Sequence, residues 1–441
     1  MALIGLLGLG TVGTGVVEVL TNNREDITRR AGEPITIGPI LVRETGKARA
    51  IAPELVHLTT DPAEVVTAPD VDIVVEAMGG TIPALTYIQT ALAHGKHVVT
   101  ANKEVVSEHG QELFEAAAAN RCHLLFEASV GGGIPLITPL KRCLAANEID
   151  EVSAIINGTT NYILTEMAVR KKDFNEVLRE AQALGYAETD PSADVDGLDA
   201  ARKLAIMASI VFNTRITPGV IRTEGIRRVS RRDTEVADEL GCVIKLVATA
   251  RQEEARIFAA VSPTLLPRRN PLAFIDGVQN AVLVRGRPVG QVMFAGPGAG
   301  RGATASAVVG DIMEIVRSRT RPTETQCTCF SHKAVAPAEE SVSRFYLRLE
   351  APLSLGPLNR LSKVFSAAGV ALEALTDRPI PSGRSEVVIV TRPAREMDVR
   401  AAATECALSE RSIVVESLLR MAGDAGERAN QPFFRSAAAT R

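Results

Sequence analysis

Several side chains that could bind an ammonium group or transfer a proton lie between Gly185 and Ser209: Glu188, Asp190, Asp194, Asp196, Asp199 and Lys203. Carboxylates bind ammonium groups, and a lysine can exchange a proton where burial and a neighbouring cation lower its pKa. Asp199 and Lys203 are four residues apart, so a helix would place them on one face. The structural alternative is that Asp194 or Asp196 caps a helix and Asp199 is a first-turn acid. The apolar run LAIMASIVF after Lys203 predicts a buried helix and favours the chemical interpretation, with Asp190 and Asp196 left as turn and cap residues.

A glycine-rich loop lies near the start of the chain, where Gly8-Leu9-Gly10-Thr11-Val12-Gly13 follows an apolar run and opens a helical pattern. In that context G-x-G-x-x-G is typical of dinucleotide binding. The glycines permit a tight turn, a close approach to a pyrophosphate and close packing of helix on strand. The helix N-terminus then offers N–H groups to the phosphates. A glycine turn without ligand is the alternative. We expect cofactor contacts from Gly8, Gly10, Thr11, Val12 and Gly13.

Further cofactor contacts are expected at the carboxyl ends of later strands, where ligands bind in sheets of this type. The second predicted strand ends in LVRET, in which Arg43 would face a 2′-phosphate and Glu44 a 2′-hydroxyl of the adenosine ribose. Lys47 and Arg49 add positive charge, so the sequence favours NADPH, with NADH as the alternative. A solvated loop charge is the other interpretation of Arg43. Five more cofactor contacts are expected from later segments: Gly79, Gly80, Thr100, Lys103 and Gly300.

A parallel sheet would bring these residues together, and the first 130 residues have the pattern of one. Short β-branched runs alternate with amphipathic stretches, which is typical of a doubly wound α/β fold of the Rossmann type. We predict strands at Leu3–Leu7, Ile35–Val42, Ile73–Ala77, His97–Thr100 and His123–Glu127, and helices at Thr14–Leu20 and Gln111–Ala119.

The middle of the chain predicts a mixed α+β domain with its own sheet. We expect strands at Glu151–Asn157, Arg256–Val261, Ala281–Val284 and Val289–Phe294, and helices at Tyr162–Arg170, Asn175–Leu184, Leu198–Phe212 and Thr234–Ala250. A helix at Thr304–Val316 and a polar linker follow. The last elements have the order βαββαβ, which predicts a small, separate, ferredoxin-like domain.

The composition argues against several classes of partner. Hydrophobic residues make up 46% of the chain, and the net charge of -3 gives no electrostatic reason to bind nucleic acid or an anionic membrane. We expect no membrane span, and we read the apolar N-terminus as a strand rather than a signal peptide. The six cysteines are mostly isolated, and Cys327 and Cys329 have the wrong spacing for a zinc site. We therefore expect reduced thiols in a cytoplasmic protein.

Seven segments, in order, carry a resemblance to a known family: GLLGLGTVGTGV, VVEAMGGT, VVTANKE, FEASVGGGIPLI, INGTTNYIL, AQALGYAETDPSADVDGLDAARKLAI and GPGAGRGATASAVVGD. Together they resemble homoserine dehydrogenase, and the C-terminal part is similar to an ACT domain. The resemblance runs from Ala2 to about Leu419, and the long acidic block is far more specific than the glycine loop. It implies the reversible NAD(P)H-dependent reduction of L-aspartate 4-semialdehyde to L-homoserine, on the route to threonine, methionine and isoleucine.

The resemblance also implies roles for individual residues. Lys203 would give or take the proton, and Lys103 would be a second active-site lysine near cofactor and substrate. Glu188, Asp194 and Asp199 would belong to the substrate-binding set. A monovalent cation, usually sodium in this family, would bind the backbone carbonyl groups of Glu127, Val130, Gly132 and Ile134. We expect a homodimer or homotetramer that acts on a small-molecule substrate.

The chain departs from the family's pattern in two places. Arg301-Gly302-Ala303-Thr304 stands where the family usually has Gly-Asp-Pro-Thr. In the C-terminal part, Leu353 stands where ACT domains have an acid, and Gly356-Pro357 is reversed relative to their pattern. We therefore expect this domain to serve dimerisation rather than to bind threonine in the usual mode.

These observations divide the chain into a Rossmann domain at 1–135 completed by 297–320, a substrate and dimerisation domain at 136–296, a linker at 321–342, an ACT-like domain at 343–420 and a disordered tail at 421–441. Two rival functions remain. A non-catalytic regulatory protein would bind NAD(P) and an amino acid without needing Lys203 and Lys103. An aspartate-semialdehyde dehydrogenase would need a nucleophilic cysteine, and Cys122, Cys143 and Cys242 lie in no such motif.

Overall fold

The computed structural model describes residues 1–47, 56–318, 327–353, 355–409 and 412–423. Arg49, the first part of the predicted linker and the predicted tail beyond residue 423 lie outside these residues. Among the described residues, no helix has the length and apolar character needed to cross a lipid bilayer.

The N-terminal part forms a parallel sheet, as the alternating pattern predicts. Its strands are β1 (Ala2–Leu7), β2 (Ile35–Leu41), β3 (His57–Thr59), β4 (Ile73–Glu76), β5 (His97–Thr100) and β6 (Leu124–Leu125), in the order β3-β2-β1-β4-β5-β6. The connecting helices are α1 (Thr11–Asn22), α2 (Arg24–Ala31), α3 (Ala63–Val66), α4 (Ala84–Ala93) and α5 (Lys103–Ala119). The strand order reverses between β1 and β4, which opens a crevice for a ligand at the carboxyl ends of these strands.

β6 is shorter than the predicted strand at His123–Glu127. Only Leu124 and Leu125 pair with β5, and the chain then enters a 3₁₀ turn at Glu127–Ser129. The backbone N–H of Glu127 donates to the carboxylate of Asp311 at 2.8 Å instead of to a neighbouring strand. The strand therefore ends where a helix supplies the hydrogen-bond partner.

The second sheet is mixed and begins with β7 (Glu148–Ile155), β8 (Arg222–Thr223), β9 (Cys242–Glu253), β10 (Arg256–Pro267), β11 (Gln279–Arg287) and β12 (Gly290–Pro297). Its helices are α6 (Gly158–Arg170), α7 (Phe174–Ala183), α8 (Ser192–Val195), α9 (Leu198–Val211) and α10 (Arg231–Glu239). α9 is buried along most of its length, as its apolar sequence predicts. α11 (Arg301–Ser318) returns to the first sheet, where Ala305, Val308 and Ile312 join the core of β1 and α1.

The prediction of one helix at Thr234–Ala250 is wrong. α10 ends at Glu239, and Gly241, with φ of +68°, turns the chain into β9. β9 pairs antiparallel with β10 in a long register that places Val247 opposite Ser262. The run CVIKLVATA is apolar enough for a buried helix or a buried strand, and periodicity alone does not distinguish the two. Its β-branched residues and the neighbouring β10 favour the strand.

The C-terminal part has the predicted βαββαβ order. Its elements are β14 (Val342–Pro352), α12 (Leu355–Ala367), β15 (Leu372–Pro379), β16 (Arg384–Thr391), α13 (Glu396–Ser409) and β18 (Val414–Met421), with the short β13 (Ala334–Val335) and β17 (Ala394–Arg395) beside them. The strands lie antiparallel in the order β18-β14-β16-β15. This sheet is less separate than expected, because β18 also pairs in parallel with β10 through Arg420 and Thr264.

Two buried carboxylates fasten the C-terminal part to the middle part. Asp233 of α10 is fully buried and accepts hydrogen bonds from Arg348 Nε at 2.8 Å and Tyr346 OH at 3.2 Å. The second carboxylate belongs to the C-terminal part: Glu396 of α13 is 1% exposed and pairs with Arg222 of β8, in the middle part, at 3.3 Å. Buried charges are costly unless they are paired, so these contacts hold the two parts in one arrangement.

Candidate active site

Asp199 and Lys203 share one face of α9, as their spacing predicts. Lys203 Nζ donates to Asp199 Oδ2 at 2.7 Å and to the carbonyl oxygen of Ile156 at 2.9 Å. Lys103 approaches from the N-terminus of α5, with its Nζ 3.1 Å from Asp199 Oδ1. One carboxylate therefore bridges the two candidate lysines, which lie far apart in the sequence.

The surroundings of Asp199 hold it in its charged form. Its side chain is 8% exposed, and burial alone would raise its pKa. The amino groups of Lys203 and Lys103, with hydrogen bonds from Lys203 and Asn157, outweigh burial and lower the pKa of Asp199 well below its ordinary value. Asp199 is therefore ionised at neutral pH and acts as a fixed counter-charge to both lysines.

Asn157 is a site residue that the sequence analysis missed. It caps α6 through its side-chain oxygen, which accepts from the N–H of Thr160 at 2.9 Å. Its Nδ2 group donates to Asp199 Oδ2 at 2.9 Å and to Asp194 Oδ1 at 2.7 Å. An asparagine before a helical pattern is a recognisable N-cap signal. The capping rule does not indicate, however, what the other end of the amide contacts.

Asp194 joins the cluster through Asn157, whereas Glu188 does not. Asp194 lies half-buried on the short helix α8, directly before the start of α9. Glu188 is exposed between α7 and α8. Its backbone carbonyl oxygen accepts a hydrogen bond from Gln182 at 3.1 Å, and in the part of the chain that the structure describes its carboxylate makes no hydrogen bond or ion pair. Asn157 therefore brings Asp194 and Asp199 together, whereas Glu188 lies outside the cluster.

The two acids assigned to structural roles have different outcomes. Asp190 Oδ1 accepts the N–H of Ser192 at 3.1 Å, which confirms the turn role. The cap role predicted for Asp196 is wrong, because its carboxylate pairs with Arg227, with Oδ2 and Nη2 3.0 Å apart. α9 instead begins after Gly197, which has φ of +83° and provides no side-chain cap.

Lys103 is positioned by hydrogen bonds across the ends of β4 and β5. Asn102 caps α5 with its side-chain oxygen, and its Nδ2 group donates to the carbonyl oxygen of Gly80 at 2.7 Å. Thr100 Oγ1 donates to Glu76 Oε2 at 2.6 Å. Burial raises the pKa of Glu76, against hydrogen bonds from Thr100 and the loop after β4 that lower it. These contacts fix the loop of Gly79 and Gly80 beside Lys103, as the cofactor-crevice prediction requires.

The glycine loop after β1 has the geometry that dinucleotide binding needs. Gly8 has φ of +98°, and a Cβ on Gly13 would lie 2.2 Å from the carbonyl oxygen of Gly8, so only glycine fits there. Gly10 precedes α1 without any side-chain cap, and a Cβ added to it would meet no other atom within 4 Å. The first N–H groups of α1, including those of Thr11 and Val12, have no partner within the helix and can bind phosphate.

Two further predicted cofactor residues lie around this loop. Arg43 is exposed just beyond the carboxyl end of β2, where an adenosine ribose binds in such sheets. Gly300 has φ of +120° and directly precedes α11. Arg301 pairs with Glu18 of α1 at 3.0 Å, so the start of α11 lies against α1.

The glycine-rich loop after β6 buries several backbone carbonyl groups that receive few hydrogen bonds. Gly131 and Gly132 have φ of +73° and +58°. Within the described residues, no N–H or O–H group is seen to donate to the carbonyl oxygens of Val130, Gly132 and Ile134, and the carbonyl oxygen of Glu127 accepts a long hydrogen bond of 3.5 Å from the N–H of Val130. Hard cations bind such oxygens, so this backbone fits a monovalent cation.

The carboxylate of Glu127 has a different task from its carbonyl group. Its oxygens accept three backbone N–H groups at 2.5 to 2.8 Å, those of Leu136, Ile137 and Thr138. A Cβ on Gly132 would lie 2.5 Å from the carbonyl oxygen of Gly298, so the loop packs tightly on the segment that precedes α11. This contact between the two glycine-rich segments is not predictable from their spacing in the sequence.

The site has the means to deliver a proton beside the cofactor crevice. Two amino groups, an ionised carboxylate and a second carboxylate converge there, and Lys203 and Lys103 keep 13% and 35% of their side chains exposed. In the described part of the chain no histidine hydrogen-bonds to this cluster, and His97 and His123 instead contact each other with ring centres 5.1 Å apart. The two lysines are therefore the candidates for proton transfer in this cluster.

The chain is similar to proteins of one family. A family model described as the NAD binding domain of homoserine dehydrogenase matches residues 8–127, and one described as homoserine dehydrogenase matches residues 135–313. A curated homoserine dehydrogenase of a Synechocystis species is 46% identical over 433 residues, which cover 95% of this chain and 99% of the relative. A crystal structure of a homoserine dehydrogenase from Thiobacillus denitrificans has a TM-score of 0.91 at 41% identity and covers 96% of this chain and 98% of its own. A hyperthermophilic archaeal homoserine dehydrogenase in complex with NADPH has a TM-score of 0.61 at 30% identity, covering 71% of this chain and 97% of its own.

Proposed function

Because the chain belongs to the homoserine dehydrogenase family, we propose that Lys203 carries the proton in its NAD(P)-dependent reaction. The reaction of this family interconverts L-aspartate 4-semialdehyde and L-homoserine. The observation that supports the role of Lys203 is its amino group, which is held by Asp199 and the carbonyl oxygen of Ile156 beside the crevice. Family membership sets aside the two rival functions, the non-catalytic regulatory protein and the aspartate-semialdehyde dehydrogenase.

Lys203, Lys103 and Asp199 have different roles at the reacting carbonyl group. The bound nicotinamide supplies the hydride. Lys203 gives a proton to the oxygen that becomes the hydroxyl group of the product, and takes it back in the reverse direction. Asp199 keeps the amino group of Lys203 in one orientation, which lowers the entropic cost of the transfer. Lys103 adds a donor that stabilises the developing oxyanion.

The acidic residues account for recognition of the substrate's ammonium group. Asp194 has one oxygen bound to Asn157 and is half-buried at the edge of the cluster, so its other oxygen can accept from the substrate. Glu188 is exposed and needs a change of side-chain conformation to contribute. We assign Asp194 as the principal ammonium ligand and Glu188 as a second acid that completes the site when substrate binds.

The proposed cofactor is NADPH, with NADH as the alternative. Support comes from the exposed guanidinium group of Arg43 beyond β2 and from the NADPH in the archaeal relative's structure. Thr11, Val12 and the neighbouring glycines would hold the pyrophosphate, and the loop of Gly79 and Gly80 would face the nicotinamide half.

A sodium ion is proposed at the carbonyl groups of Glu127, Val130, Gly132 and Ile134. Turnover and the thermal midpoint should both rise in sodium chloride relative to tetramethylammonium chloride at the same ionic strength. Identical values in the two salts would contradict the site.

We propose that the βαββαβ unit is an ACT-like domain that supports a homodimer or homotetramer. Leu353 is 60% exposed where an acid is expected, which is the reason not to assign a threonine site there. Threonine, methionine and isoleucine biosynthesis is the proposed pathway, and the cytoplasmic location stays a prediction.

Lys203→Ala tests the proposed function. The variant should lose about 10²- to 10⁴-fold in kcat with aspartate semialdehyde, because its proton donor is gone. NADPH affinity, measured by fluorescence titration, should stay unchanged. Lys172→Ala is the matched control, since Lys172 pairs with Glu176 and Glu180 away from α9. Full activity in Lys203→Ala would contradict the assignment.

A further inference from the structure

Cys327 and Cys329 form a thiol pair outside the site described above. The backbone N–H of Cys329 points to Cys327 Sγ over 3.4 Å, and both side chains are half-buried rather than inaccessible. Cys329 Sγ lies 3.8 Å from the carbonyl oxygen of Ser209, on the helix that carries Lys203. Ser331, two residues later, shares a hydrogen bond of 2.7 Å with Thr214, so the segment is held against the end of α9.

Two cationic side chains, Lys141 and Arg215, act on the pair. Lys141 places its amino group over the rings of Phe114 and Phe126, 5.6 and 5.7 Å from their centres, and Arg215 donates to the carbonyl oxygen of Ser107 at 2.9 Å. Both side chains contribute positive potential at the two sulfur atoms. A thiolate is stabilised by cations and by a backbone N–H group, and the thiolate is the reactive form of cysteine.

The two thiols differ in acidity. A hydrogen bond from the Cys329 thiol, then the Cys329 N–H and the charges of Arg215 and Lys141, lower the pKa of Cys327 below its ordinary value despite burial. The same hydrogen bond and burial raise the pKa of Cys329. In contrast, burial raises the pKa of Cys122, Cys242 and Cys406 to about 11, which makes them poor nucleophiles.

We propose that Cys327 and Cys329 are a redox-active dithiol, in which Cys327 is the attacking thiolate and Cys329 the resolving thiol, and that low-molecular-weight disulfides oxidise it. The inference is carried by the spacing of the two thiols, by the N–H contact to Cys327 Sγ and by the contacts that hold the segment against α9. It is independent of the reaction at Lys203.

The oxidation proceeds by two exchanges. The Cys327 thiolate attacks one sulfur of the small disulfide, and the other half leaves as a thiolate, which gives a mixed disulfide on Cys327. Cys329 then loses its proton to the departed thiolate and attacks Cys327 Sγ, which expels the second half of the reagent. Two protein thiols are oxidised by two electrons in total, and one small disulfide is reduced to two thiols.

The test uses the full-length protein with Cys143→Ser, which removes the exposed thiol. The protein is incubated with glutathione disulfide at neutral pH, quenched in acid, alkylated and digested with trypsin. Cys327 and Cys329 fall in one peptide between Arg319 and Lys333, so an internal disulfide makes that peptide two hydrogen masses lighter. We expect this peptide to lose two hydrogen masses and to escape alkylation at both cysteines. Dithiothreitol should reverse the change, and the buried cysteines should stay unmodified.

Single substitutions separate the two roles. Cys329→Ser should trap glutathione on Cys327, because no resolving thiol remains. Cys327→Ser should leave Cys329 at least about 10-fold slower to react, since its thiolate is disfavoured. The opposite order of reactivity would overturn the proposal, and so would an unchanged peptide in the Cys143→Ser protein, which keeps both Cys327 and Cys329, at high glutathione disulfide. Equal thermal midpoints for the variants exclude unfolding as the cause.

Discussion

The carboxylate of Asp199 lies 2.7 Å from the amino group of Lys203, one turn later on the same buried helix. Its second oxygen is 3.1 Å from the amino group of Lys103, which belongs to the cofactor-binding part. A single side chain thus connects the end of the cofactor crevice with the proposed proton carrier. The Asp199 carboxylate therefore joins the N-terminal and middle parts of the chain at the two candidate lysines.

Asp199→Asn keeps the shape of that side chain but removes its charge. We expect a fall in kcat of roughly 10- to 100-fold, because Lys203 loses the partner that orients it. Asp196→Asn is the matched control, since Asp196 pairs with Arg227 at a more exposed position and such pairs contribute little. Equal kcat values for Asp199→Asn and the wild type would contradict the orienting role.

The same variant predicts a pH dependence of stability. The pKa of Asp199 is lowered in the folded state, so its stabilising contribution is fully present above the ordinary aspartate pKa and is lost as pH falls through the folded pKa. The thermal midpoint of the wild type should exceed that of Asp199→Asn by a constant amount between about pH 6 and 8. The difference should shrink below about pH 4. A difference that grows on acidification would mean that Asp199 is protonated in the folded protein.

Asn157→Ala should affect both stability and turnover. The change removes the cap of α6, which costs about 1 kcal/mol, and it also frees Asp194 and Asp199. We expect a fall in kcat/KM beyond what the loss of stability explains, measured well below the unfolding temperature. Ser230→Ala is the control, because Ser230 caps α10 in a capping box away from the lysines. A similar activity loss in both variants would show that only helix capping is involved.

Arg348→Ala should weaken the junction between the middle and C-terminal parts. Asp233 would keep a buried charge without its guanidinium partner, which destabilises by about 3–5 kcal/mol. Thermal unfolding followed by calorimetry should show an earlier transition. Arg395→Ala is the control, since the exposed Arg395 pairs with Asp398 within the C-terminal part, and it should leave the transition unchanged. Coincident transitions in the two variants would argue that the Asp233 pair does not hold the junction.

The arrangement of the site is predictable from the sequence where the determining contacts are local. Asp199 and Lys203 are related by one helical turn, and the glycines of the first loop by one strand-to-helix junction, so their arrangement is readable from spacing. Asn157 both caps α6 and binds Asp194 and Asp199. The second contact depends on how α8 and α9 pack relative to α6, and residue spacing does not predict that packing. The β9 strand was misassigned as helix because its apolar run fits both structures until β10 pairs with it.

Arg43 provides a test of cofactor choice. If its guanidinium group binds the 2′-phosphate, Arg43→Ala should raise KM for NADPH about 10- to 100-fold, the cost of a lost hydrogen bond to a charged group. KM for NADH should change little, because NADH has a hydroxyl group in that position. Initial rates with both cofactors measure the ratio directly, and Arg24→Ala, an exposed residue beyond the far end of α1, serves as the charge-matched control. An equal rise in KM for both cofactors would instead assign Arg43 to a contact that the two cofactors share, and the preference for NADPH would then have to come from another residue.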